Sequence, residues 1–574
     1  MVQTRKRAAA AKDTKDDDKK DQTKEDKKIQ KKDKSKDKAK DKTSDLPKKR
    51  ARDPSPPAQK KSPSPSPPKQ ISPQPQQIPM PPVPTPAPEE QKIVKAIKKG
   101  RAVVDNECSK SSDCHVYEEP AKVWCCTLNQ ADLKDNANKY YIIQLLEEDK
   151  NPGKFYVWNR WGRVGYSGQN ALRGPFLDLN KAKHEYNKKF MDKTKGGYIE
   201  VQISYEEETP EPQTSKKAVR EETKQEESKL DSRVRDLVNL IFDLKTINST
   251  LAEIGYDAKK MPLGKLSIAT IKQGMEVLKE IENALEGAIK SDKLTGLSSK
   301  FYSLIPHDFG FKHMSNFIIN SKEKLKEKIA MLENLTDMKI ATNILEAAKN
   351  DVNPADDHYM KLKCGLETLE KNDPVYGILE NYVKNTHAAT HNSYGLTILD
   401  IFRVDKDGED ERFTKNLHNH MLLWHGSRLT NWVGILSQGL RIAPPEAPVS
   451  GYMFGKGVYF ADMVSKSANY CFTNRNNNIG LLLLCDVALG NCNEKLYADY
   501  NANLLPDGKH STKGCGRNAP PESSYIDLEG TKLPYGEGET VNVNGSLLYN
   551  EYIVYDIKQI KMKFLFKIRF DYKF

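Results

Sequence analysis

Residues 422–472 crowd His425, Gly426, Ser427, Asn431, Arg441, Tyr459, Lys466, Ser467 and Tyr470 into a frame that is otherwise largely apolar. Taken singly, a His or Tyr in such a frame is ordinarily a satisfied core residue, but so many polar and ring-bearing groups in one segment strain that reading. A second stretch, NGSLLYNEYIVYDI (544–557), sets Glu551 in an alternating apolar strand. A carboxylate there is costly without a chemical task or a partner, and a structural ion pair is the plain alternative. Aromatic faces, hydroxyls, glycine backbone and one carboxylate are groups that contribute chiefly by positioning and electrostatics.

The segments that must hold these groups read as short strands between Gly/Pro/Asn turns: GLTILDIF (395–402), GVYFAD (457–462), LLLLCDVAL (481–489), EYIVYDI (551–557) and KFLFKIRF (563–570). They predict an α+β domain over 351–574. Residues 230–350 are helical by period and predict an all-α bundle. Val234, Leu237, Ile241, Leu244, Ile247, Leu251 and Ile254 form one run that Gly255 ends. A second run starts at Ser267, a good N-cap, and continues through Ile271, Met275, Leu278, Ile281, Leu285 and Ile289. A small α+β domain is expected over 106–207, from the strands KYYIIQLL (139–146) and KFYVWNRWGRVG (154–165) and the amphipathic helix LNKAKHEYNKKFMDKT (179–194). Residues 208–229 read as a charged linker. Residues 1–105 mix Lys/Asp repeats with Pro, Gln and Ser; they cannot bury enough apolar surface to offset ordering entropy and predict a disordered basic tail. At 574 residues a multidomain chain is expected in any case.

The first hundred residues hold 28 Lys/Arg against 14 Asp/Glu, a net +14; the whole chain carries +12, so the remainder nets −2. The basic excess belongs to the tail, and a nucleic-acid site in the folded body must be a local patch. The tail itself can add salt-dependent, sequence-independent affinity for DNA. Within it, PKKRAR (47–52) has the form of a nuclear-localisation cluster or of one more solvated charge run. Ser55, Ser62, Ser64, Ser66 and Ser72 each precede proline and suit proline-directed kinases. Nine cysteines occur without any C-x-x-C, which disfavours a structural zinc site and a disulfide framework and fits a reducing compartment. The N-terminus lacks the apolar core of a signal peptide, and the longest apolar run, 479–489, is too short to span a bilayer. A soluble intracellular protein with no membrane partner and no metal is expected.

Both chemistry-bearing segments, in register and in order, closely resemble the donor site of the poly(ADP-ribose) polymerases, and the likeness covers essentially residues 360–574. The resemblance implies an ADP-ribosyltransferase fold and NAD+ as a substrate to be split. The G-x-G-x-x-G fingerprint of NAD bound for hydride transfer is absent, since GKG at 455–457 lacks the third glycine. The family's His-Tyr-Glu set is matched by His425, Tyr459 and Glu551. By the same resemblance, Gly426 backbone and the Ser467 hydroxyl would hold the carboxamide, and the nicotinamide would stack on Tyr470 with Tyr459 closing the other side. His425 would hold the adenine-side ribose, with Ser427, Asn431 and Arg441 toward the adenosine. Glu551 would bond the donor ribose 2′-OH, stabilise the developing positive charge and polarise the acceptor hydroxyl, with Lys466 close by.

Residues 154–176 resemble the family's WGR domain, through Trp161, Gly162 and Arg163. Trp158, Arg160, Trp161, Arg163, Tyr166 and Arg173 interleave rings with guanidinium groups, a chemistry suited to a nucleic-acid end; core tryptophans with surface arginines are the plainer alternative. The resemblance implies DNA-end binding through Trp161, Arg163, Tyr166 and Arg160, with part of the cluster relaying contact to the helical domain. KKMPLGKLS (259–267) and FYSLIPHDFG (301–310) resemble the family's autoinhibitory bundle, and Glu333 with Asp337 matches its acidic face toward the donor pocket; as composition alone, the pair fits a solvated face equally well. Glu333 stands where the family often has Asp. Zinc fingers and an automodification domain do not appear, as in the family's shorter type. The implied protein is a nuclear enzyme activated by DNA strand breaks, with 5′-phosphorylated ends among its partners. It would build polymer on itself and on chromatin proteins such as histones. A mono-ADP-ribosyltransferase of the same fold and a catalytically silent DNA-end-binding scaffold are the rival readings.

Overall fold

A computed structural model describes residues 100–201, 227–253, 266–287, 291–310, 312–346 and 352–573, all within one compact unit, Gln91–Phe574. The basic tail through residue 99, with its PKKRAR cluster, and most of the expected linker lie outside the described residues, as do Ile254, Gly255 and Ile289.

Aromatic and β-branched runs form the first sheet. Its strands are β1 (Cys114–Val116), β2 (Cys125–Asp132), β3 (Ala137–Glu148), β4 (Phe155–Arg163), β5 (Gln169–Phe176) and, after α1 (Leu179–Lys195), β6 (Ile199–Val201). The antiparallel order is β5-β4-β3-β2-β6, with β1 on β3. Alternation sends Leu128, Ile143, Leu145 and Val157 to one face, where α1 covers them with Ala182 and Tyr186. Asp178 starts α1 by accepting the Asn180 N–H.

The helical domain departs from the expected single run over 234–254. The chain forms α2 (Ser232–Ile241) and α3 (Leu244–Glu253), with a break at Phe242–Asp243. Asp243 causes it: its carboxylate accepts the N–H groups of Lys245 (3.0 Å) and Thr246 (3.2 Å), capping a new helix. Leu244, assigned to the buried stripe by spacing, is 54% exposed as a result. Ser267 caps α4 (Ile268–Glu286) as read, through the Thr270 N–H at 3.0 Å. Then follow α5 (Ser291–Leu304) and the long α6 (Lys322–Glu346). A further helix, α7 (Pro354–Leu362), packs on α2 and α6, so the bundle continues past residue 350.

The last domain contains β7 (Cys364–Thr368), α8 (Pro374–Asn385), β8 (Tyr394–Lys406), β9 (His420–Ser427), α9 (Trp432–Gln438), β10 (Val458–Phe460), α10 (Val464–Ala468), β11 (Ile479–Ala488), β12 (Cys492–Lys495), β13 (Ser511–Gly514), β14 (Ile526–Leu528), β15 (Thr531–Leu533), β16 (Glu551–Val554) and β17 (Ile560–Tyr572). Seven strands make the main sheet in the order β14-β15-β9-β11-β17-β8-β7. Its centre is the apolar run of β11, buried on both faces from Gly480 to Ala488. A smaller sheet, β10-β16-β13-β12, lies against it. None of the nine cysteines is in a disulfide, and seven are buried. No described helix is long and apolar enough to cross a membrane, and no described cluster of His, Cys, Asp or Glu could hold a metal ion.

Candidate active site

The main sheet and the smaller β10-β16-β13-β12 sheet are joined at one bridge among the described residues. Trp424 on β9 donates to the Ala461 carbonyl (2.8 Å), and Ala461, just past β10, donates back to the Trp424 carbonyl (3.0 Å). Chemistry-bearing residues gather on both sides of it. The His425 Nδ1 lies 3.0 Å from the Tyr459 carbonyl oxygen; with Nδ1 donating, Nε2 is the acceptor nitrogen. Burial pushes the imidazole below its ordinary range, against that hydrogen bond, so the ring is neutral at pH 7. Tyr459 is fixed from its far end: its hydroxyl donates to the Gly455 carbonyl (2.7 Å) and accepts the Phe454 N–H (2.9 Å). Burial raises its phenol well above the usual range.

Across the antiparallel ladder Tyr459 faces Ile553, and Glu551, two residues earlier, emerges on the same face of the small sheet. Glu551 Oε1 lies 2.8 Å from Lys466 Nζ, which also donates to the Tyr549 carbonyl at 3.1 Å. The carboxylate singled out by its apolar strand therefore has a cationic partner. A Cβ on Gly426 would lie 1.9 Å from the Ser467 carbonyl oxygen, so only glycine lets β9 lie directly on α10. The Ser467 hydroxyl donates to the Trp424 carbonyl (2.9 Å). Asn431 Nδ2 donates to Ser427 Oγ (2.9 Å), and Tyr470, in the turn after α10, presents a ring 53% exposed. Arg441 is paired with Asp337 of α6.

Three family models match this chain: the poly(ADP-ribose) polymerase catalytic domain over residues 375–570, the poly(ADP-ribose) polymerase regulatory domain over 228–359 and the WGR domain over 124–204. Poly [ADP-ribose] polymerase 2 of Homo sapiens is 46% identical over 500 residues, 83% of this chain and 85% of that protein. The chain belongs to the poly(ADP-ribose) polymerase family. The Arabidopsis thaliana protein of the same name is also 46% identical, over 83% of this chain and 78% of its own length. Poly [ADP-ribose] polymerase 1 of Xenopus laevis is 42% identical over 84% of this chain but only 49% of its own, longer sequence. The chain is accordingly an ADP-ribosyltransferase of the family's WGR-containing kind, with NAD+ as substrate.

The regulatory domain grips one loop of the catalytic domain, residues 441–452. Asp337 on α6 pairs with Arg441, and Glu333, one turn earlier, accepts the Tyr452 hydroxyl. Glu282 of α4 accepts the N–H groups of Val449 (3.1 Å) and Ser450, and Lys279 Nζ donates to the Pro445 carbonyl (3.3 Å). The Tyr452 ring centroid lies 6.5 Å from that of Tyr459, so the gripped loop adjoins the site. Burial raises the Glu333 carboxyl above its ordinary range, opposed by the Tyr452 hydrogen bond and Arg441. Glu282 and Tyr452 escaped the sequence reading. Nothing local marks a carboxylate whose partners lie more than 160 residues away.

The WGR domain holds its expected DNA-facing residues in varied states. Trp158 is core, and Trp161 stacks on Tyr141 (centroids 5.6 Å apart, 10° between planes). Arg160 is engaged by Asp105 (2.9 Å) and the Tyr140 hydroxyl (3.1 Å), and Arg173 by Glu185 (2.6 Å). Tyr166 is exposed. Arg163 donates to the Asn136 carbonyl (3.2 Å) and, across to the regulatory domain, to the Gly310 carbonyl (3.3 Å). Around that contact Asn138 Nδ2 donates to the His307 carbonyl (2.8 Å), Asn129 Nδ2 to the Ser303 carbonyl (3.0 Å), and the Met314 N–H to Asn136 Oδ1 (3.0 Å). The His307 side chain is buried beneath this seam, with Lys328 Nζ of α6 3.1 Å from its Nε2.

Burial lowers Lys328 from its ordinary 10.5 to about 8, against the nearby Glu327 carboxylate. A lysine whose folded pKa is depressed penalises the folded state most below about 8, and the penalty fades as pH rises to 10.5. The stability of the wild type relative to Lys328→Met should therefore rise between pH 8 and 10, by at most a few kcal/mol. Parallel thermal melts of the two proteins across that range check it; a constant difference would place Lys328 in water.

Proposed function

We propose that this chain is a nuclear, DNA-break-activated poly(ADP-ribose) polymerase that modifies itself and chromatin proteins such as histones in DNA repair. The observation that carries this reading is the placement of Glu551, on the same face as Tyr459 and paired with Lys466, beside a loop that the regulatory domain grips. Gly426 backbone and the Ser467 hydroxyl would take the carboxamide, with Ser467 exchanging its bond to the Trp424 carbonyl for one to substrate. Tyr470 and Tyr459 would sandwich the nicotinamide. His425, its neutral ring oriented by the Tyr459 carbonyl, would offer Nε2 to the adenine-side ribose hydroxyls, with Ser427, Asn431 and Arg441 toward the adenosine. Arg441 is available for that role once Asp337 releases it.

In the reaction the C–N bond between nicotinamide and ribose breaks, and its electron pair leaves with the ring, which becomes neutral. The acceptor oxygen bonds the anomeric carbon and gives up its proton toward Glu551. That carboxylate, bonded to the donor 2′-OH, faces the positive charge developing on the ribose. On the DNA side, Trp161, Tyr166, Arg160 and Arg163 would meet the broken, 5′-phosphorylated end. A phosphate that drew Arg163 from the Gly310 carbonyl would loosen the seam to the regulatory domain. Looser packing of α6 then frees the loop at 441–452, and NAD+ enters.

Incubation of the purified full chain with labelled NAD+, with and without a short 5′-phosphorylated duplex, followed by a denaturing gel, tests this. A DNA-dependent high-mass smear is expected. A single sharp shift would replace polymer synthesis by mono-transfer, and no incorporation in either condition would leave a DNA-end-binding scaffold.

A further inference from the structure

The ladder between β10 and β16 ends at Phe460 and Tyr552, so the strand start that carries Glu551 has no main-chain partner on the β10 side. One side chain takes over at that point. Asp462, with no exposed surface, accepts Asn550 Nδ2 (2.7 Å) and the Tyr552 hydroxyl (3.2 Å) on the same oxygen, Oδ2. Asn550 and Tyr552 flank Glu551 in sequence, are themselves buried, and by strand alternation point away from the face on which Glu551 meets Lys466. Asn550 Oδ1 in turn accepts the Gly516 N–H (2.8 Å), and the Tyr382 hydroxyl donates to the Asp462 carbonyl (3.3 Å), so the arrangement is tied to its surroundings at both ends. The other carboxylate oxygen of Asp462 is buried with no hydrogen-bond partner among the described residues. A carboxylate kept in so dry a place, three residues after Tyr459 and four before Lys466, is costly unless its bonds do something.

We propose that Asp462 is a positioning residue for the transfer reaction: by holding Asn550 and Tyr552 it fixes the Glu551 carboxylate against Lys466 and on the face of Tyr459. The proposal rests on the role assigned to Glu551 above. Asp462 touches neither NAD+ nor the acceptor; its effect passes through the two residues that bracket Glu551. The carboxamide clamp stands on β9 and α10 rather than on β16, so donor binding does not depend on this tie. Burial holds the Asp462 carboxyl above its ordinary range, opposed by the Asn550 and Tyr552 hydrogen bonds. An uncharged amide is therefore a fair stand-in: its single oxygen can accept both bonds that Oδ2 accepts now.

The test compares Asp462→Ala, Asp462→Asn and Tyr552→Phe in the full, DNA-activated chain, with Glu551→Gln run beside them and a thermal melt on each. Asp462→Ala should lower kcat for NAD+-dependent elongation by about 10–10²-fold, the range for a reacting group displaced by about an ångström, with KM for NAD+ changed by less than about threefold. Asp462→Asn should restore kcat to within about threefold of wild type, a rescue that a role resting on the charge would not show. Should Asp462→Ala fail to fold, Tyr552→Phe removes one of the two bonds without removing volume and should still lower kcat at constant KM. The proposal is overturned by wild-type kcat in folded Asp462→Ala, by equal damage in Asp462→Asn, or by KM rising in step with the fall in kcat. If Glu551→Gln itself elongates like wild type, the site assignment fails first; if it is inactive while folded Asp462→Ala is not, only the positioning role fails.

Discussion

Glu551→Gln should fold, bind NAD+ and fail to build chains. The amide oxygen can still accept from Lys466, now 2.8 Å from Glu551 Oε1, and Lys466 keeps its second bond to the Tyr549 carbonyl, so the substitution leaves no buried ammonium without partners. On the proposed mechanism, the loss is the negative charge facing the ribosyl cation and the atom that takes the acceptor's proton. Removing one preorganised electrostatic group of this kind costs about 10²–10³-fold in rate, and elongation repeats that cost at each added unit. Donor binding should persist, because the proposed clamp at Gly426 and Ser467 lies across the bridge on β9 and α10. Titration calorimetry with NAD+ and a gel of labelled product read the two halves separately. Wild-type elongation by this variant would remove Glu551 from the mechanism.

The second large effect is expected in the opposite direction. Asp337→Ala combined with Glu333→Ala should raise NAD+ turnover in the absence of DNA, while the DNA-saturated rate stays near wild type. Each carboxylate makes one bond from α6 to the gripped loop, to Arg441 and to Tyr452. Charge-assisted or half-buried contacts of this kind contribute about 1–2 kcal/mol each. Every 1.4 kcal/mol is about tenfold on the closed–open equilibrium, so losing both, about 2–4 kcal/mol together, should raise the basal rate about 30- to 700-fold. Arg441 itself is left intact, since it is assigned to the adenosine side of the donor. An unchanged basal rate in both single variants and the double would show that the grip does not limit NAD+ entry.

The strands at 139–146 and 481–489 were legible because β-branched, aromatic and leucine-rich runs admit few other structures, and Ser267 was legible as a cap because capping is local. Phe242–Asp243 was not. The apolar spacing runs straight through it, and the break follows from a carboxylate choosing two N–H groups ahead of it. In the site, His425, Tyr459, Lys466 and Glu551 were legible through the resemblance to the family; the first two and Glu551 stand on strands and Lys466 on α10. What sequence alone could not supply are bonds formed by distant chain: Glu282 to Val449 and Ser450, Arg163 to Gly310, Arg160 to Asp105. Spacing says which face a residue occupies, but not which of several carboxylates arrives opposite an arginine.

Eight of the nine thiols bear on how the enzyme meets oxidants. Only a thiolate reacts readily with peroxide. Burial holds Cys108 and Cys114 at about 11 and Cys364 and Cys471 at about 12, and it raises Cys126, Cys485, Cys492 and Cys515 as well. At pH 7 a thiol held four units above ambient is ionised to about one part in 10⁴. Oxidants that cut DNA strands also oxidise proteins, and these eight thiols present little sulfur in the form such oxidants attack.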